Sequence, residues 1–276
     1  MLKKCFGIIS WLPNDKENRI LREERLNRLL KQLSELMPEI DILIIAQNWG
    51  DFIPVNTNNN KIIKNYPPLG ILGARKTLRK EFLNLNYDYI IMFDDDAIIQ
   101  YANLNLIKQY LQLIDNNPKG FAFVRGTNNA YNPYAGAHLN LCAISRYIYE
   151  REDMVDLDPQ KGEGFEDCVF ATLLHHKYSN LEWNIPDGLK CIQFRIKGEK
   201  AKSTWWDECK HKSGLLQRTN AVCKYISENK KLPENLSDFI SNVNSNKKIH
   251  IVSRKTILNT EATFTGLPEE YWKDNF

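Results

Sequence analysis

The chemistry of this sequence concentrates where the apolar run Ile90, Ile91, Met92 and Phe93 ends in Asp94, Asp95 and Asp96. Three adjacent carboxylates repel one another unless a cation or a network of donors compensates. A hard divalent ion, Mn2+ or Mg2+, does this, and so does a diphosphate bound through that ion. In an extended Asp-x-Asp segment the two outer acids lie on the same side. Asp94 and Asp96 can therefore share one metal–nucleotide assembly, with Asp95 counted on its nucleotide side. The plain alternative is a solvated acidic turn, and the buried strand directly before the acids argues against it.

Two further segments carry chemistry. Gly70 and Gly73 lead into Ala74, Arg75 and Lys76, ahead of the acids. Small residues at a helix start let backbone approach a ligand closely, and Arg75 can pair with a phosphate or with the acids. Gly162 and Gly164 lead into Phe165, Glu166 and Asp167. These two acids read equally well as first-turn residues complementing a helix dipole and as a carboxylate base aimed into a pocket.

The elements that must position these residues follow from apolar periodicity. Residues 5–10 form a compact β-rich run closed by Trp11, Leu12 and Pro13. Over 19–37, Leu26, Leu29, Leu30, Leu33 and Leu36 recur at helical spacing, and Pro38 stops the helix. Residues 40–46 are apolar apart from Asp41, as in a parallel strand covered on both faces. A polar turn at 56–60, a short strand at Ile62 and Ile63, a helix over 72–85 and a buried strand over 87–93 complete a β-α-β-β-α-β order. That alternation predicts an α/β layer with a mostly parallel sheet, and the acids fall at a strand's carboxyl end, where such sheets bind ligands. Beyond them the pattern predicts a helix over 102–114, strands over 121–125 and 139–144, and a helix over 165–175. Helices at 215–226 and 236–243 and a late strand at 249–252 follow, with the α/β alternation lost after Ser213.

Composition narrows the class. With 37 basic and 34 acidic side chains the formal net charge is +3, too balanced to argue for nucleic-acid binding. The basic run over 197–212 reads as a solvated face or as a local functional surface. The cysteines at Cys5, Cys142, Cys168, Cys191, Cys209 and Cys223 form no Cys-x-x-Cys pair. They suggest free thiols in a reducing cytoplasm rather than a zinc site or disulfide framework. Lys3 and Lys4 before the apolar run 5–12 are better explained by a buried first strand than by a signal peptide. No run approaches the ~18 apolar residues of a membrane helix. A cytoplasmic protein is expected, with at most peripheral contact at the inner face of a membrane.

Taken in order, the three segments resemble a glycosyltransferase of the GT-A fold, nearest to the inverting family 2 group. Gly70, Ala74, Arg75 and Lys76 are similar to that group's Gly-x-x-x-Ala-Arg-Asn segment, with Lys76 in place of Asn. Phe93 to Asp96 resembles its Asp-x-Asp strand end. Gly164, Phe165, Glu166 and Asp167 resemble a Glu-Asp element also found in galactosyltransferases. The resemblance covers roughly residues 1–215. It implies a Rossmann-like α/β catalytic domain with a mixed central sheet over 1–215 and a small, mainly helical extension over 216–276.

The resemblance also implies roles. Asp94 would lie near ribose or metal, and Asp96 would bind the metal. Asp167 would deprotonate the acceptor hydroxyl, and Glu166 would hold the acceptor. Ser10, Trp11 and Pro13 would line the nucleotide pocket with Arg75 and Lys76. Ala135, Gly136, Ala137 and His138 would approach donor sugar and acceptor. A late histidine often completes the metal site in such folds; His211 is the preferred candidate, with His175 and His176 as alternatives. The implied reaction moves one sugar from a nucleotide sugar, expected to be a UDP-sugar, onto a hydroxyl of a glycan or lipid-linked saccharide, with inversion. The Gln/Arg-x-x-Arg-Trp pattern of processive synthases is absent, which favours single transfer. Trp205 and Trp206 read as a sugar platform or as core. The rival classes are a nucleotidyltransferase or other metal–nucleotide phosphotransfer enzyme, and a non-catalytic carbohydrate-binding module.

Overall fold

The computed structural model describes residues 1–123, 140–155, 157, 166–193 and 213–245. Strand β1 (Lys4–Trp11) leads through Leu12 and Pro13 into helix α1 (Lys16–Leu36). The helix starts ahead of the expected position 19 because Asp15 caps it, its carboxylate accepting from the Asn18 N–H at 3.0 Å. Strands β2 (Asp41–Gln47) and β3 (Lys61–Tyr66) follow, then helix α2 (Gly70–Asn84) and strand β4 (Tyr89–Asp94). The expected β-α-β-β-α-β order is present.

The next strand is less legible in the sequence: β5 (Ala97–Tyr101) begins directly after the acids, ahead of helix α3 (Leu104–Asn116), which lies close to the expected 102–114. Strands β6 (Phe121–Ala122) and β7 (Cys142–Ser145) come next, then the short helix α4 (Arg146–Tyr149) and helix α5 (Glu166–Lys177). Strand β8 (Lys190–Gln193) pairs antiparallel with β5 as a separate two-stranded sheet. Helices α6 (Ser213–Asn229) and α7 (Leu236–Ser245) close the described chain. The 249–252 strand lies outside the described residues.

The main sheet runs β3-β2-β1-β4-β7-β6, parallel through its first four strands and antiparallel at β7 and β6. It is buried on both faces, which is why its strands read as continuous apolar runs. Leu26, Leu29, Leu30 and Leu33 of α1 pack on Phe6, Ile8, Ile42 and Ile44. Leu72, Leu78 and Phe82 of α2 pack on Leu43, Ile45, Ile90 and Met92 on the other face. An added Cβ at Gly7 would meet Ile90 Cδ1 at 2.4 Å, so the absence of a side chain there lets Ile90 lie between β1 and α2. Arg146 closes the carboxyl end of α2: its guanidinium donates to the carbonyls of Phe82, Leu83, Leu85 and Tyr87. A third cluster joins Val222, Cys223 and Ile226 of α6 and Ile240 of α7 to Val169 and Leu173 of α5. The C-terminal helices thus buttress the helix that starts with Glu166 and Asp167. Among the described residues no helix is long and apolar enough to cross a membrane.

Candidate functional site

Parallel pairing brings the carboxyl ends of β1, β2 and β4 to one edge of the sheet. Ile9 is opposite Asp94, and Ser10 is opposite Ala46. Only Asp95 and Asp96 separate β4 from β5, so the acids occupy a turn held by a strand at each end. Gln32 of α1 fixes the far side of that turn, accepting from the Ile99 N–H at 3.1 Å.

Each of the three acids meets a different environment. Asp94 is tied from both sides. Its Oδ1 accepts from Arg75 Nη2 at 3.2 Å, its Oδ2 accepts from Asn140 Nδ2 at 3.3 Å, and its own N–H donates to Asn140 Oδ1 at 2.6 Å. Asp95 is buried. It accepts from the Trp11 N–H at 3.2 Å and pairs with Arg22 Nη1 at 2.9 Å. Asp96 is half-buried, and its Oδ1 is shut from solvent without a hydrogen-bond partner. Burial first, then the charges of Asp95 and Asp94, push its carboxyl up to about 7, against the pull of Arg22 and Arg25.

An orphaned carboxylate oxygen beside two further acids suits a divalent cation. Among the described residues no group of three His, Cys, Asp or Glu side chains is arranged to hold a metal. Asp96, with Asp94 beside it, would need further donors from a bound phosphate or from residues such as His211, which lies outside the described residues. His175, one of the alternative ligands, bonds Glu182 through Nδ1 at 2.6 Å.

The Asp96 carboxyl also predicts a stability effect. Its ordinary value is 3.8 and its folded value about 7. Between those values the folded chain holds a proton that the unfolded chain has lost, so stability falls as pH rises through the window. Asp96→Asn removes that cost. The variant is expected to gain ~1–3 kcal/mol over the metal-free native protein at pH 8 and nothing at pH 3.5. Urea unfolding at the two pH values checks this; equal stability at pH 8 would refute it.

Arg75 links the strand-end acids to α5. It is buried, and its Nε donates to Glu166 Oε1 at 2.8 Å while Nη2 reaches Asp94. Burial works against its charge, but Asp94, Glu166 and Asp167 together more than offset this and hold its pKa above the usual arginine value. Burial and the adjacent Asp167 raise Glu166 to about 7 against the pull of Arg75. Burial likewise raises Asp167, again opposed by Arg75. Asp167 Oδ1 accepts from the Cys168 N–H at 2.7 Å, and the residue is only half-buried. Glu166 therefore turns inward onto Arg75, while Asp167 keeps partial access to solvent. The preceding glycines, Gly162 and Gly164, lie outside the described residues.

At the carboxyl end of β1, Ser10 is buried and its Oγ accepts from Trp49 Nε1 at 3.2 Å. Pro13 is buried as well. Of these β1-end residues Trp11 is the open one, at 40% exposure, with the Arg22 guanidinium 6.0 Å over its ring. Asn48, in the left-handed region at φ 57°, donates to the Leu12 carbonyl at 2.7 Å and so fixes the rim. Lys76 is exposed; being next to Arg75 on α2, it projects roughly 100° away around the helix. Ala135, Gly136, Ala137, His138, Trp205 and Trp206 lie outside the described residues.

Two site residues escape a reading of the sequence. Asn140 has no local signal; its role follows from β7 pairing with β4. Arg22 belongs to a helix legible only as packing, although Arg22 and Arg25 at the border of its apolar stripe were a faint sign.

No protein-family model and no curated protein matches the sequence. Solved structures do share the fold. A structure of S. aureus TarS 1-349 in complex with UDP-GlcNAc matches with a TM-score of 0.52 at 13% identity, over 94% of this chain and 80% of that one. A second S. aureus TarS structure matches with a TM-score of 0.51 at 11% identity, over 98% of this chain and 50% of that one. The present chain thus spans half of that longer chain. At such identities the likeness establishes the architecture: a GT-A-like, Rossmann-related α/β fold with a six-stranded mixed central sheet and helices.

Proposed function

We propose that this chain is a glycosyltransferase that moves one sugar from a UDP-sugar to a hydroxyl of a glycan or lipid-linked saccharide, with inversion. The observation that carries the reading is the Arg75 bridge. It ties Asp94 at the end of β4 to Glu166 at the start of α5. A half-buried carboxylate, Asp167, is thereby set beside the strand end where nucleotides bind in such sheets. The TarS structure with UDP-GlcNAc supports a nucleotide-sugar donor as the ligand of this fold.

In this reading Trp11 and the β1 rim hold the nucleotide. Mn2+ or Mg2+ at Asp96 and Asp94 would neutralise charge on the departing diphosphate. Asp167 accepts the acceptor's proton. Glu166 serves as the inner anchor of Arg75, which keeps Asp94 and Asp167 in register; this replaces the acceptor-holding role that the family resemblance suggests for it. Residues 216–276 extend the catalytic part, 1–215, and would meet the acceptor. A lipid-linked acceptor would be met peripherally at the inner face of a membrane.

The test is a screen of UDP-sugars with Mn2+ present, reading UDP release and the anomeric configuration of the product. Release of UDP with inversion is expected, together with loss of Mn2+-dependent UDP binding in Asp96→Ala. Pyrophosphate release from a nucleoside triphosphate would instead mark a nucleotidyltransferase. Sugar binding without turnover would mark a binding module.

A further inference from the structure

Arg22 lies outside all three segments that carry the chemistry, yet it meets the acid turn directly. Its Nη1 is 2.9 Å from Asp95 Oδ1, and the other oxygen of that carboxylate accepts from the Trp11 N–H at 3.2 Å. Its guanidinium also stands 6.0 Å over the Trp11 ring. Trp11, Asp95 and Arg22 form a closed triangle joining the end of β1, the β4–β5 turn and α1. Two arginines thus serve two of the three acids, Arg75 on Asp94 and Arg22 on Asp95, and the third acid keeps an orphaned oxygen. A diphosphate arriving at this edge of the sheet would face three negative charges if neither arginine were present.

We propose that Arg22 is a positioning residue for donor binding: it neutralises Asp95 and holds it on the β1 backbone, so that the donor's diphosphate does not meet that charge. This rests on the nucleotide-sugar reading above. It assigns Asp95 to the frame of the site instead of to the ligand. The effect is electrostatic, so it acts on the phosphates and not on the nucleoside. An unshielded unit charge about 12 Å from a phosphate, at an effective dielectric near 20, weakens binding on the order of tenfold, and by more at closer approach.

The test measures UDP and uridine affinities by calorimetry at saturating Mn2+, so that metal occupancy does not vary. Arg22→Met is expected to weaken UDP by about tenfold or more and to leave uridine within about twofold. Adding Asp95→Asn to Arg22→Met removes the exposed charge while keeping an acceptor for the Trp11 N–H, and is expected to restore UDP affinity to within about threefold of wild type. Arg22→Lys keeps the charge and should bind UDP nearly as wild type does, which preserves the test if Arg22→Met does not fold. Equal UDP affinity in Arg22→Met and wild type, parallel loss of uridine, or no recovery in the double variant overturns the proposal. For an unfolded Arg22→Met, weak UDP binding by Arg22→Lys or by the folded double variant does so. If the wild-type protein binds no UDP, the donor reading fails and takes this inference with it.

Discussion

Asp167→Asn is expected to lose sugar transfer by at least ~100-fold while binding UDP as the wild type does. The substitution keeps size and hydrogen bonding: an amide oxygen can still accept from the Cys168 N–H that now bonds Oδ1 at 2.7 Å. Only the capacity to take a proton is removed. Burial holds the carboxyl above its ordinary value, with Arg75 opposing, which makes the ionised form a stronger base than a solvated aspartate. Transfer should therefore rise with pH along a limb lying above the usual carboxylate range, and Asp167→Asn should lack that limb. Single-turnover rates across pH, with UDP affinity measured alongside, check both statements. Near-normal turnover in the variant would move the base to Glu166 or another carboxylate.

Arg75→Met is expected to damage fold and site together. The guanidinium is buried and serves Asp94 and Glu166 from one fork, with Asp167 close enough to feel its charge. Removing it leaves acids without their cation, a change that costs ~3–5 kcal/mol when a buried partner is lost. The loss should shrink in acid, because Glu166, raised to about 7 even with Arg75 present, then carries a proton. Thermal unfolding of the two proteins at pH 5.5 and 8 reads the difference. Arg75→Lys should recover only part of it, since an ammonium cannot reproduce two bonds from a planar fork. Unchanged stability at pH 8 would show that the bridge contributes nothing to the fold. The same geometry makes Asp94→Ala a poor probe of ligand binding, because it removes a partner of Arg75 and Asn140 along with any ligand contact.

Residues 42–46 and 89–93 show what local sequence determined. Their unbroken apolar character identifies strands covered on both faces, and β2 and β4 lie so covered in the structure. Leu26, Leu29, Leu30 and Leu33 define one helical face by spacing alone, and that face is buried. Asp94, Asp95 and Asp96 announce themselves because like charges rarely stand together without a counter-charge. All these signals are short-range, carried by periodicity or by adjacent residues. Tertiary structure alone decided which acid does what. Arg75 and Glu166 lie 91 positions apart, Arg22 and Asp95 lie 73 apart, and Asp94 and Asn140 lie 46 apart. Strands β5 and β8 are similarly hidden, since each is short and, among the described residues, pairs with the other. No periodicity encodes such pairs: an ion pair depends on where the backbone brings two side chains, and that follows from sheet order and helix packing. The sequence therefore determined the kind of fold and the edge at which its acids gather, whereas the division of labour among Asp94, Asp95 and Asp96 was decided by the distant arginines and the asparagine that the fold brings to them.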